Sequence, residues 1–127
     1  GICAGLFAFL DAEVLPGAEH VLDVLGAEQK IKESDIVISG EGKMDRQTCF
    51  GKAPYIMFKT AGKYKKSIVF FCGQMTIKNP KALAKVGIKE IFALEKIAKN
   101  QKDSQKNAAD YLKQAAYIVI KHIEELL

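Results

Sequence analysis

Cysteine is scarce and poorly spaced for any framework. Of 127 residues only Cys3, Cys49 and Cys72 are cysteines, an odd set without a C-x-x-C pair. That argues against a disulfide frame or a Cys-rich zinc site and for free thiols in a reducing cytoplasm. His20 and His122 have no second ligand at metal spacing, so neither marks a metal or catalytic centre. A membrane span is lacking as well: the apolar opening, residues 1–10, is too short to cross a bilayer. It has no basic flank, and Asp11 and Glu13 stand where a signal peptide would need small residues. A single aromatic, Tyr64, stands among the lysines of the densest group, Lys63, Lys65 and Lys66, and no run of aromatics interleaves with the rest. The net charge of +4 therefore reads as solvated helix faces, not a nucleic-acid platform. There is no internal repeat, no low-complexity tract and no initiator Met. The missing Met and the apolar opening together suggest a buried helix whose beginning lies upstream of Gly1.

What is present is enough for one packed domain, with 49% apolar and 27% charged residues. Residues 2–13 read as a helix apolar on nearly all sides, stopped by Pro16-Gly17. Ala18, Val21, Leu22 and Leu25 recur at helical spacing ahead of a capping Gly26, and a short polar helix follows over residues 28–32. The period then changes. Ile36-Val37-Ile38, ending at Gly40, has the pattern of a strand buried on both faces. Pro54 opens a helix whose Met57, Thr60, Ala61 and Tyr64 share a face. Residues 67–72 form the next strand, ending at Gly73. Pro80 starts a short helix to about Val86, Gly87 caps it, and residues 90–94 give a third strand. A long amphipathic helix from near Ser104 closes the chain, with Ala108, Leu112, Ala115, Val119, Ile123 and Leu126 as its seam. The fold class is α/β: a parallel, doubly wound sheet of three strands with right-handed crossovers, thin enough to be half of a domain.

The chemistry concentrates in residues 39–52, S-G-E-G-K-M-D-R-Q-T-C-F-G-K, at the carboxyl end of the first strand. That is where open α/β sheets bind ligands. Neither familiar phosphate motif fits, because Arg46 and Ala53 break a P-loop and Asp45 takes the third glycine position of a dinucleotide fingerprint. Gly40 and Gly42 are expected to adopt positive φ or to let a ligand approach, projecting Glu41 from the strand end. Glu41 and Asp45 can converge on one magnesium ion or on substrate hydroxyls, and Asp45 can alternatively take a proton from an attacking hydroxyl. Lys43 and Lys52 supply positive charge, Lys52 beside the amides that open the Pro54 helix. Gln47 and Thr48 either touch the ligand or hold the loop through backbone hydrogen bonds. Gly73, with Gln74, lies on the same sheet edge as a further binding candidate.

Ser39-Gly40-Glu41-Gly42-Lys43-Met44-Asp45-Arg46-Gln47-Thr48, closed by Gly51-Lys52-Ala53-Pro54, resembles the T-G-E-G-R-x-D-x-Q-T-x-x-G-K-A-P signature of the bacterial glycerate kinase type 1 family. Phe9-Leu10-Asp11-Ala12-Glu13 and Pro16-Gly17 are similar to the family's F-L-G-A-E-x-x-P-G. Ser39 keeps the hydroxyl of threonine; Lys43 keeps the charge of arginine but loses its planar fork. The resemblance implies two α/β domains, one flavodoxin-like and built from both chain ends, with the active site in the cleft between them. Residues 1–33 would then be closing helices of the inserted domain, and 34–127 the C-terminal half of the flavodoxin-like one. It also implies ATP and magnesium as cofactors and glycerate as substrate, giving 2-phosphoglycerate, with Asp45, Glu41 and Lys52 catalytic and the isolated segment inactive. Two rivals come from other classes. A non-catalytic nucleotide- or flavin-binding module is disfavoured by two acids where a pyrophosphate would sit. An interaction domain would dock through the apolar N-terminal helix, whose exposure predicts self-association.

Overall fold

The computed structural model describes residues 1–49, 52–77 and 87–122. Three apolar runs form a parallel sheet, β1 (Ile36–Met44), β2 (Ser67–Met75) and β3 (Ile88–Ala93), in the order β1-β2-β3. Ile36 lies opposite Ser67 and Met44 opposite Met75, while Ile68 pairs with Ile88 and Cys72 with Ala93. Parallel neighbours require crossovers, and α4 (Ala53–Lys63) is the one between β1 and β2. The other helices are α1 (Ile2–Leu10), α2 (Gly17–Val24), α3 (Ala27–Glu33), α5 (Gln101–Lys106) and α6 (Ala108–Lys121). The expected parallel α/β arrangement is therefore what forms.

Both faces of the sheet are covered at its centre. On one, Phe58 and Ala61 of α4 pack with Val37, Ile68, Phe70, Cys72 and Ile88, and Ile31 of α3 joins them. Phe58 meets Phe70 edge to face, with ring centroids 5.2 Å apart, a geometry that stabilises by about 0.5–1.5 kcal/mol beyond the area buried. On the other face Val119 of α6 packs with Val69, Ile36, Phe71 and Phe92. α3 is also fastened to the end of α4, where Lys63 and the Tyr64 hydroxyl both donate to Glu28. These groups are exposed, so the ion pair contributes little to stability.

Several elements differ from the sequence reading. β1 does not end at Gly40 nor β2 at Gly73; both continue, paired, to Met44 and Met75. β1 is an edge strand among the described residues and is not buried on both faces: Ile38 is 56% exposed. α1 buries none of its residues, and Asp11 ends it in a left-handed conformation at φ 51°. The closing helix is two helices broken at Asn107, whose side-chain amide donates to Asp103 of the preceding turn. An asparagine that satisfies local polar groups in this way competes with the helix ladder. Ala115 and Val119 are buried as expected, but Ala108 and Leu112 are exposed. Gly26 and Gly87 adopt positive φ at the turns where caps were expected. The helix expected over residues 80–86 and the seam residues Ile123 and Leu126 lie outside the described residues.

Gly40 and Gly42 are not among the described glycines with positive φ. What demands glycine is close strand contact: a Cβ on Gly40 would lie 2.6 Å from the Phe71 carbonyl oxygen, and one on Gly73 would lie 2.7 Å from that of Gly42. A Cβ on Gly42 meets nothing within 4 Å. Gly40→Ala is expected to destabilise the protein by about 1–3 kcal/mol through overpacking against backbone. Gly42→Ala should stay within about 1 kcal/mol, because β-propensity spans only that much. Denaturant midpoints of the two variants compare them, and equal stabilities would contradict the close-contact account.

Candidate active site

The end of β1 and the 3-10 turn that follows it, Arg46–Cys49, form one hydrogen-bonded unit. Its centre is Thr48, which is fully buried. The Thr48 hydroxyl donates its proton to Glu41 Oε1 at 2.5 Å and accepts from the Asp45 N–H at 3.0 Å. The Thr48 N–H returns to the Asp45 carbonyl at 3.1 Å. Asp45 Oδ1 in turn accepts from the Gln47 N–H at 2.8 Å, a side-chain turn that fixes the carboxylate over its own backbone. Thr48 holds the loop through these bonds, and Gln47 contributes its backbone N–H while its side chain stays exposed. Thr48 has no exposed surface with which to touch a ligand.

Each predicted site residue therefore has a place. Gly40, Glu41, Gly42 and Lys43 sit on the last part of β1, not in a loop beyond it. Glu41 and Asp45 are brought together through Thr48, each half-buried and each with one carboxylate oxygen unclaimed by a described donor. Lys43 is exposed beside them in sequence, and Lys52 is exposed at the first turn of α4, with Pro54 inside that turn. Neither lysine has an ion-pair partner among the described residues. Among those residues no group of three or more His, Cys, Asp or Glu side chains could hold a metal ion. Two carboxylates are nevertheless the number that magnesium usually takes when phosphates and water complete its shell.

Gly73 lies elsewhere. With Gly42, Lys43 and Gln74 it lines a cavity of about 670 Å³ at the carboxyl ends of the strands, closed by Leu94 and Glu95 after β3 and by α5. The sequence reading missed this wall. Its signal was Asn100 three residues before Asp103, a helix start immediately after the third strand: the Asn100 side chain caps the Asp103 N–H.

A profile described as the glycerate kinase family matches residues 1–124. The chain belongs to the glycerate kinase family. It is 34% identical to the glycerate kinase of Halalkalibacterium halodurans and 34% identical to that of Neisseria meningitidis serogroup B, in each case over 91% of this chain. It is 40% identical to the glycerate 2-kinase of Escherichia coli K12 over 60% of this chain. The chain spans 30–31% of the length of the first two relatives and 20% of the third. The segment of the family seen here thus carries the Glu41–Thr48–Asp45 unit at its strand end. No helix among its described residues is long and apolar enough to cross a membrane.

Cys72 reports on the same neighbourhood. It pairs with Glu41 across the strands and is 2% exposed. Burial, reinforced by the Glu95 and Glu41 carboxylates, pushes its thiol up to about 11. A pKa raised in the folded state means that this thiol does not weaken folding below its ordinary value of 9.0, and that stability falls as pH rises from there toward 11. At pH 8 Cys72 should resist iodoacetamide while the exposed Cys3 reacts, as read by mass spectrometry; fast labelling of Cys72 in the folded protein would contradict its burial.

Thr48 is a positioning residue in this geometry. In the full-length protein Thr48→Val, which keeps the shape and removes the hydroxyl, should lower kcat/KM about 10- to 100-fold, corresponding to about 1.4–2.7 kcal/mol. Thr48→Ser should restore most of the loss. Equal loss in both variants would show that packing, not the hydroxyl, is what matters.

Proposed function

We propose that the protein carrying this chain transfers the γ-phosphoryl group of ATP to a hydroxyl of glycerate, giving 2-phosphoglycerate, in the cytoplasm. One observation carries the reading: in a chain of the glycerate kinase family, the buried Thr48 hydroxyl locks Glu41 against the Asp45 turn at the carboxyl end of a parallel strand. Phosphoryl transfer is mostly positioning and electrostatic stabilisation, so a rigid pair of carboxylates beside two lysines suits it. Glu41, held at one oxygen, orients the substrate hydroxyls. Asp45 accepts the proton of the hydroxyl whose oxygen bonds to the γ-phosphorus as the bond to ADP breaks. Lys43 and Lys52 draw in and neutralise phosphate or the glycerate carboxylate. In the alternative use of the pair, Glu41 and Asp45 would hold magnesium together with phosphate oxygens, and the ion would supply further neutralisation of the transferred charge. Residues 1–33 are proposed to belong to a second α/β domain facing this one, and the segment by itself to be inactive.

ATP-dependent phosphorylation of D-glycerate by the full-length protein tests the reading, with the position of the phosphate read by NMR. Asp45→Asn and Glu41→Gln are each expected to lower kcat by about 10²–10⁴-fold. Turnover within a few-fold of wild type in Asp45→Asn would remove the base role from Asp45. Absence of any glycerate phosphorylation by the intact protein would overturn the assignment.

A further inference from the structure

The cavity bounded by Gly73 and α5 has a lining that phosphate chemistry alone does not explain. Three glutamines line it, Gln74 on β2 and Gln101 and Gln105 on α5. Gln101 and Gln105 are four apart and so share one side of their helix. Ser104, between them, is 5% exposed, and its hydroxyl has no hydrogen-bond partner among the described residues. No fully enclosed side-chain oxygen or nitrogen of the described residues is left unpaired. The Ser104 hydroxyl therefore keeps its open surface, and the open space that it borders is this cavity. Glu95 gives one oxygen to the Met75 N–H at 2.8 Å and has the other to spare. Lys43 stands at the β1 side, two residues from Glu41.

Resting on the phosphotransfer reading above, we infer that this cavity holds the nucleoside part of ATP, so that the nucleotide and the acid substrate occupy different places at the end of β1. The volume of about 670 Å³ is in the range of small-molecule sites. Glutamine amides pair with the N6 and N7 edge of adenine, which offers one donor and one acceptor at matching spacing. An acid following a strand of a parallel sheet is the usual partner of a ribose diol, the part open to Glu95. The phosphates then run past Lys43 toward Glu41 and Asp45. Asp103 fastens α5 to α6 by accepting from the Lys99 N–H at 3.0 Å, from Asn107 at 2.7 Å and from the Tyr111 hydroxyl at 2.6 Å.

The test uses the full-length protein carrying Gln101→Leu and Gln105→Leu together, both at exposed positions, with folding checked by circular dichroism. Calorimetric titration with ATP and with inosine triphosphate, which lacks the N6 amino group, should show ATP binding weakened at least tenfold and the preference for ATP lost. The KM for glycerate should move less than twofold, which also shows that the variant is folded. ATP affinity within twofold of wild type, or an increase in the KM for glycerate alone, would overturn the inference while leaving the kinase assignment in place. Conversely, ATP binding that depends on these glutamines in a protein unable to phosphorylate glycerate would uphold the cavity and overturn only the assignment. A wild-type protein that does not bind ATP would overturn it.

Discussion

The close approach of β1 and β2 at their carboxyl ends is the constraint on which the site depends. A Cβ placed at the tightest points of this pairing would meet the backbone of the neighbouring strand and push it away. Here two glycines, Gly40 and Gly73, remove the side chains that would do so. The Phe71 carbonyl occupies the space a Cβ on Gly40 would need, and the Gly42 carbonyl the space of one on Gly73. The ladder therefore runs on to Met44 opposite Met75, and the Thr76 N–H still reaches the Met44 carbonyl at 2.9 Å. Met44 is fully buried at the end of that extension, which anchors the chain before it turns. Glu41 is thus displayed from a strand with fixed register, and a turn of four residues is all that Thr48 needs to come back to it.

From that anchor the two sides of the strand end take different parts. Thr48 buries a hydroxyl with both its proton and a lone pair used, so the turn cannot relax without leaving a polar atom unsatisfied inside the protein, a penalty of about 1–3 kcal/mol. The carboxylates of Glu41 and Asp45 are held at one oxygen each and open at the other. Preorganisation of this kind lets charged groups act without rearranging during a reaction. Cys72 lies in the same neighbourhood: burial first, and then the Glu95 and Glu41 carboxylates, favour its neutral thiol.

Much of this was legible in the sequence, for identifiable reasons. The parallel α/β arrangement followed from β-branched runs alternating with helical stretches, and the motif located the strand end that carries the acids. The strand lengths were not legible, because glycine ordinarily weakens a strand and so reads as its end. Only the pairing partner reveals that Gly40 and Gly73 are there for contact across the ladder. Thr48 was ambiguous for a similar reason: a threonine in a polar loop looks the same whether its hydroxyl meets a ligand or a backbone amide. The α5 wall was hidden because Gln101, Ser104 and Gln105 resemble an ordinary solvated helix until β3 delivers them to the same edge as Gly73.

Edge position gives the last step. β1 ends the described sheet on one side, and Ile38 on it remains 56% exposed although its neighbours Val37 and Ser39 are covered or half-covered. An unpaired edge strand with an apolar residue facing water is a pairing template that proteins normally protect. The same strand contributes Glu41 to the carboxylate unit and Gly42 and Lys43 to the cavity, so both sit at the border of the described sheet. A catalytic cleft assembled there would shed water from the acids and the lysines at once, strengthening each charge where phosphoryl transfer needs it. The exposed face of β1 and the half-open carboxylates are thus two consequences of one arrangement, a candidate site built on the border of the described sheet.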